Sequence, residues 1–123
     1  MEKVSLSEKF ASFRDPWSPK IVGQVNDCLV KLVKLQGEFV WHHHDNEDEL
    51  FLVVKGALRM QVREPGRERE ILIREGEFLV VPRGVEHLPI ADRETHVLLF
   101  EPRETLNTGN VRNERTVEKL QEI

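Results

Sequence analysis

Residues Trp41 to Glu49, WHHHDNEDE, hold three of the chain's five histidines and four acidic side chains within nine positions. Imidazole and carboxylate are the groups that ligate divalent metals and move protons near neutral pH. On an extended strand, side chains at i and i+2 share a face. His42 and His44 therefore point one way, and His43 points the other way with Trp41. Two neutral imidazoles on one face can offer their ring nitrogens to a single ion, although an isolated H-x-H is more often a solvated turn that happens to contain histidines. The acidic run is not an EF-hand: that loop needs glycine at its sixth position, which counted from Asp45 is Leu50. Glu49 differs from its neighbours because it directly precedes the apolar run Leu50 to Val54. If Phe51 and Val53 face the core, Glu49 has the same parity and faces inward. An inward carboxylate is costly unless it is paired or holds a cation. Asp45, Glu47 and Asp48, with His43, read as the solvated part of the same loop. A second segment, Gly76 to His87, runs through an apolar stretch into Pro82-Arg83-Gly84 and places His87 three residues later.

Short strands must position these groups. CLVKLVKL (28–35), LFLVV (50–54), ALRMQVR (57–63), EILI (70–73), FLVV (78–81), 86–91 and THVLLF (95–100) are strand-like. Turn signals separate them at Lys55-Gly56, Glu64-Pro65-Gly66, Glu75-Gly76 and Asp92-Arg93-Glu94. In 57–63, Leu58, Met60 and Val62 alternate with Ala57, Arg59, Gln61 and Arg63. This spacing predicts an all-β sandwich or barrel. Residues 5–13 have a serine cap candidate and Leu6, Phe10 and Phe13 at helical spacing, so a short N-terminal helix is expected. The expected division is a helix or arm with the first strand over 1–26, a barrel over 27–106 and a tail over 107–123, the tail a short strand or helix.

Composition narrows the function classes. The 123 residues are 33% charged and 39% hydrophobic, with net charge −4. That describes one globular domain without the basic face of a nucleic-acid binder. No apolar run approaches the roughly 20 residues that span a bilayer. No glycine pair makes a phosphate-binding turn. Cys28 is the only cysteine, so no intrachain disulfide forms. With no apolar leader in Met1–Phe10, a reducing, cytoplasmic setting is expected.

The two histidine segments resemble the two motifs of the cupin superfamily. The first, G-x5-H-x-H-x3/4-E-x6-G, is matched by Gly37, His42, His44, Glu49 and Gly56, with Gly37 one residue closer than in the family. The second, G-x5-P-x-G-x2-H-x3-N, is matched by Gly76, Pro82, Gly84 and His87, with Ala91 where the family has asparagine. The whole chain looks like the small single-domain cupins labelled mannose-6-phosphate-isomerase-like. The resemblance implies a double-stranded β-helix, a jelly-roll barrel. It implies that His42, His44, Glu49 and His87 together hold one divalent transition metal: Fe, Mn, Ni or Zn. An octahedral ion in such a site keeps two positions open for a substrate, O₂ or water.

On that resemblance, the expected function is a metalloenzyme of isomerase, dioxygenase or lyase type acting on a small polar molecule. Glu49 is its candidate catalytic residue, as metal ligand or general base. The alternative is a non-catalytic sugar or small-ligand binder with a structural metal. A homodimer is carried over from the family; no nucleic-acid or membrane partner is expected. Phe51, Met60, Leu98 and Phe100 are possible pocket liners, with ordinary core as the competing reading. His96 is a candidate for the border of the site or a satisfied surface histidine, and Arg59 an anion contact or a solvated arginine.

Overall fold

Alternation with period 2 builds the wall of the barrel. The computed structural model describes residues 1–123. It has one helix, α1 (Leu6–Ala11), and eight strands. The strands are β1 (Lys20–Val25), β2 (Cys28–Glu38), β3 (Glu49–Lys55), β4 (Ala57–Glu64), β5 (Arg67–Arg74), β6 (Phe78–Val81), β7 (Glu86–Pro102) and β8 (Gln121–Glu122). The path β5-β4-β7-β2-β1-β8 carries the sheet, and β3 joins β7 to β6. Every pair is antiparallel except β1 with β8. The expected mostly-β barrel with a short N-terminal helix is what the chain forms. No helix is long and apolar enough to cross a membrane.

The parity read from the sequence holds in the two strands that matter most. Leu58, Met60 and Val62 of β4 are buried, as are Glu49, Phe51 and Val53 of β3. The apolar ones join Val33 and Leu35 of β2 and Val97 and Leu99 of β7 in one core. Each such side chain contributes about 1.5–3 kcal/mol on full burial. Ser5 caps α1, its hydroxyl accepting from the Glu8 N–H at 3.3 Å. Phe10 and Phe13 then cover Leu32 on the outside of the sheet.

Three expectations are corrected. Residues 86–91 and 95–100 are not two strands with a turn between them: Glu86–Pro102 is one strand. Asp92, Arg93 and Glu94 are simply its exposed stretch, lying where the pairing with β2 shifts register between Leu35 and Gly37. Leu98 and Phe100 do not line the interior. Val97, Leu99 and Glu101 are the buried face of β7, while Leu98 packs toward α1. Finally, His42 and His44 share a face without lying on a named strand, since this segment makes only an isolated bridge, His42 with His87. The tail contributes β8, which pairs in parallel with Lys20 and Ile21 of β1.

Candidate metal centre

Three segments bring four side chains together. His42 and His44 come from the loop after β2, Glu49 opens β3, and His87 lies near the start of β7. Backbone bonds fix the loop against that strand. The His42 N–H donates to the His87 carbonyl at 3.1 Å, and the His87 N–H returns to the His42 carbonyl at 2.9 Å. The Gly84 N–H donates to the His44 carbonyl at 2.7 Å, so the Pro82–Gly84 turn holds the other end. All four side chains are buried, and one potential ligand atom from each lies within 4.8 Å of the others.

The hydrogen bonds define which atoms face inward. Nδ1 of His42 lies 2.9 Å from the Val40 carbonyl, and Nδ1 of His87 lies 2.9 Å from the Val85 carbonyl. A carbonyl only accepts, so each Nδ1 carries the proton and each Nε2 is left for the centre. This is how outer-shell groups fix the tautomer of a ligating histidine. Glu49 Oε1 then meets His44 Nε2 at 2.8 Å and His87 Nε2 at 3.0 Å. The His44 contact is close, but its angle is too poor for a hydrogen bond, so this buried nitrogen has no hydrogen-bond partner. Lone-pair nitrogens and a carboxylate oxygen thus converge with few protons to share. A divalent cation among them resolves that arrangement, and three nitrogens with one oxygen form a donor set suited to Fe, Mn, Ni or Zn.

Electrostatics favours a neutral His42 and an ionised Glu49. Burial, reinforced by the positive charge His87 can carry, pushes the His42 pKa down to about 4. Burial alone would raise the Glu49 carboxyl, but the imidazoles of His44 and His87 beside its Oε1 outweigh it and hold Glu49 well below the usual carboxylate range. Near neutral pH this leaves an uncharged His42 and an ionised Glu49.

One buried charged residue beside the cluster escaped the sequence reading. Glu101 is 2% exposed and pairs with Lys31, itself 1% exposed, at 2.8 Å. Its other oxygen, Oε2, has no hydrogen-bond partner. Burial, followed by the adjacent charge of Glu49, raises its pKa well above the usual range, against the pull of Lys31. The signal was present as parity: Val97, Leu99 and Glu101 repeat the argument that turned Glu49 inward. Glu101, Glu49 and His42 are among the lining of a narrow pocket with about 40 Å³ of water-accessible space. Trp17, Phe39 and Leu99 supply apolar walls, and Asn107 of the tail adds an amide.

The other candidate residues fall outside the centre. Arg59 pairs with Asp92 at 3.0 Å and with Glu70 at 2.7 Å on the outer surface. His96 bonds Glu94 at 3.1 Å and stacks on Phe10 at 4.5 Å, a satisfied histidine under the helix. Met60 is fully buried core, whereas Phe51 does line the pocket. His43 turns away from the centre and pairs with Asp45 at 3.0 Å. Asp48 caps the turn, accepting from the Arg83 N–H at 2.8 Å.

Comparison with known proteins agrees with the fold. The cupin domain pattern (Cupin_2) matches residues 29–101, a stretch that includes all four clustered residues. The chain belongs to the cupin family. A cupin-2 domain protein of Shewanella frigidimarina is 41% identical, with 81% of this chain and 94% of that one superposing at a TM-score of 0.77. The Bacillus subtilis protein YdbB, described as uncharacterized, is 32% identical over 67% of this chain and 64% of its own length. Bovine 3-hydroxyanthranilate 3,4-dioxygenase is 34% identical over 82% of this chain, which matches only 35% of that enzyme.

Proposed function

We propose that this cupin is a metalloenzyme that binds one divalent transition metal through His42, His44, Glu49 and His87 and acts on a small molecule held in the adjoining pocket. The convergence of buried lone-pair nitrogens on Glu49, which also lines a pocket, carries the reading. Dioxygenase-type chemistry is favoured over isomerase or lyase chemistry. Its support is the named activity of the bovine relative and a pocket whose walls are more apolar than a sugar phosphate requires. Iron is then the metal of choice. Such a metal would supply Lewis acidity and coordination positions for the substrate. The protein supplies the rest. His42 and His87 are locked with Nδ1 on backbone carbonyls and Nε2 inward. Glu49 supplies the anionic ligand, or turns from the ion to take a proton from a substrate hydroxyl. Trp17, Phe39 and Leu99 keep water from the apolar part of the substrate.

The test loads the protein with Fe(II) without air, then measures oxygen uptake with catechols and aminophenols. The reading expects uptake that needs both iron and substrate and falls at least about 100-fold in Glu49→Gln. Full iron loading with ligand binding but no turnover of any kind would return the protein to the class of non-catalytic binding cupins.

The same reading includes a homodimer in a reducing, cytoplasmic setting, supported by the single free Cys28. The outer face of β3 and β6 supports the dimer. Leu50 pairs with Val80 and with Phe100, and Leu52 with Phe78 and with Leu98. Phe78 and Val80 are exposed there at 63% and 45%, an apolar sheet face for a second copy.

A further inference from the structure

We infer that the C-terminal tail is a working part of the metal centre, with Asn110 a positioning residue for the histidine loop. This inference rests on the metal reading above. Residues 42–44 lie outside the named strands, so their backbone depends on bonds from elsewhere. His42 is pinned in both directions by His87, and the His44 carbonyl is pinned by Gly84. The residue between them, His43, has its backbone polar groups held from the tail. Its N–H donates to Asn110 Oδ1 at 2.8 Å, and its carbonyl accepts from the Asn110 N–H at 3.1 Å. The two ligands His42 and His44 flank that peptide, so its orientation sets the spread between their rings.

The tail is built to lie there. Gly109 has φ +57, and a Cβ on it would stand 2.2 Å from the His43 carbonyl oxygen and 3.1 Å from Cδ2 of His42. No side chain fits between the strap and the ligand ring. Thr108 is completely buried, and its hydroxyl meets that of Thr116 at 2.7 Å. Asn107 bonds the Arg115 carbonyl at 2.7 Å and accepts from the Val117 N–H at 2.9 Å. The Arg115 guanidinium lies 4.8 Å over the Trp17 ring and donates to the Glu38 carbonyl at 2.6 Å. The strap is thus closed on itself through Asn107 and Thr108 and tied to the rest of the chain through Asn110 and Arg115. It lies outside residues 29–101, the part matched by the family pattern. The cupin domain supplies the ligands, and a segment beyond it fixes their geometry.

The test uses full-length protein loaded with Co(II). It follows the visible Co(II) band and the rate at which a chelator removes the ion, beside thermal unfolding of the metal-free form. Asn110→Ala removes the acceptor for the His43 N–H and should release Co(II) about tenfold faster with an altered band, the lower end of what outer-shell changes cost. Asn110→Asp keeps an acceptor oxygen and should return to near the wild-type rate. Gly109→Ala should release the ion faster still. Metal-free unfolding should differ little between wild type and Asn110→Ala, since the lost bond is exposed. Co(II) release from Asn110→Ala at the wild-type rate overturns the inference while leaving the metal reading intact. So does Asn110→Asp behaving like Asn110→Ala. A wild-type chain that takes up no Co(II) overturns the metal reading, and this inference with it. If Gly109→Ala does not fold, the two Asn110 variants still decide.

Discussion

At the scale of single residues, the centre exists because burial makes proton placement expensive. His42 shows this most directly. Its pKa near 4, below the ordinary 6.5, means the unfolded chain binds the proton more readily between those values. The sign follows from linkage: this contribution to stability is fully present above about pH 6.5 and is lost as pH falls through about 4. Two and a half units correspond to about 3 kcal/mol at most. Glu101, whose carboxyl is raised, acts with the opposite sign, its contribution being lost as pH rises above the usual carboxylate range. A ring-proton titration of metal-free protein by NMR therefore reads His42 more cleanly than a stability curve. It should find a midpoint near 4, and a midpoint near 6.5 would contradict the burial described here. Lys31 gives a second prediction. Replacing it with Met leaves the buried Glu101 carboxyl beside Glu49 without its hydrogen-bond partner, and an orphaned buried polar group costs about 1–3 kcal/mol. Urea unfolding measures this, and the Lys31→Met, Glu101→Leu double variant should recover most of the loss. A loss under about 1 kcal/mol in the single variant would mean that water reaches Glu101. Much of the centre was legible in the sequence at this scale. The i, i+2 histidines and the parity of Glu49 with Phe51 were readable without coordinates. Glu101 was missed because the run Leu98-Leu99-Phe100 before it is apolar on both faces and hides its own parity.

At the scale of elements, that double-sided character has a cause. The outer face of β7 and β2 is itself covered: Phe10 and Phe13 of the N-terminal segment sit on Leu32 and Leu98. Apolar residues are then needed on both sides, and alternation disappears from the sequence. The same cover accounts for Lys34, which is buried yet satisfied by donating to the Phe13 carbonyl at 2.6 Å. A six-residue helix has little stability of its own, so α1 depends on this packing. Phe10→Ala should cost about 3 kcal/mol, read by chemical denaturation. A change below about 1 kcal/mol would show that the helix is not a necessary cover. β7 also shows how charge misleads a turn prediction. Asp92-Arg93-Glu94 looks like a loop, but exposed charged residues are tolerated within a strand when they project to solvent, and Asp92 there anchors Arg59 of β4.

At the scale of the whole molecule, the barrel, the two ends of the chain and the exposed sheet face divide the work. The barrel collects the four clustered side chains. The N-terminal segment lends Trp17 to the pocket wall and the tail lends Asn107. Neither contribution was readable from the sequence, because both depend on contacts between residues far apart in the chain with no periodic pattern to mark them. The outer face of β3 and β6 leads to a prediction about assembly. Light scattering should find a dimer for the wild type and a monomer for Phe78→Glu, Val80→Glu, with the metal content unchanged; a monomeric wild type would contradict it. The claim on which all else depends is that four buried side chains hold one ion. The most direct measurement is elemental analysis of untagged protein purified without chelator, beside a His42→Ala, His87→Ala double variant. The account predicts about one transition metal per chain in the wild type and none in the variant. Wild-type protein that carries no metal and cannot be loaded with Fe(II), Mn(II), Ni(II) or Zn(II) would contradict it.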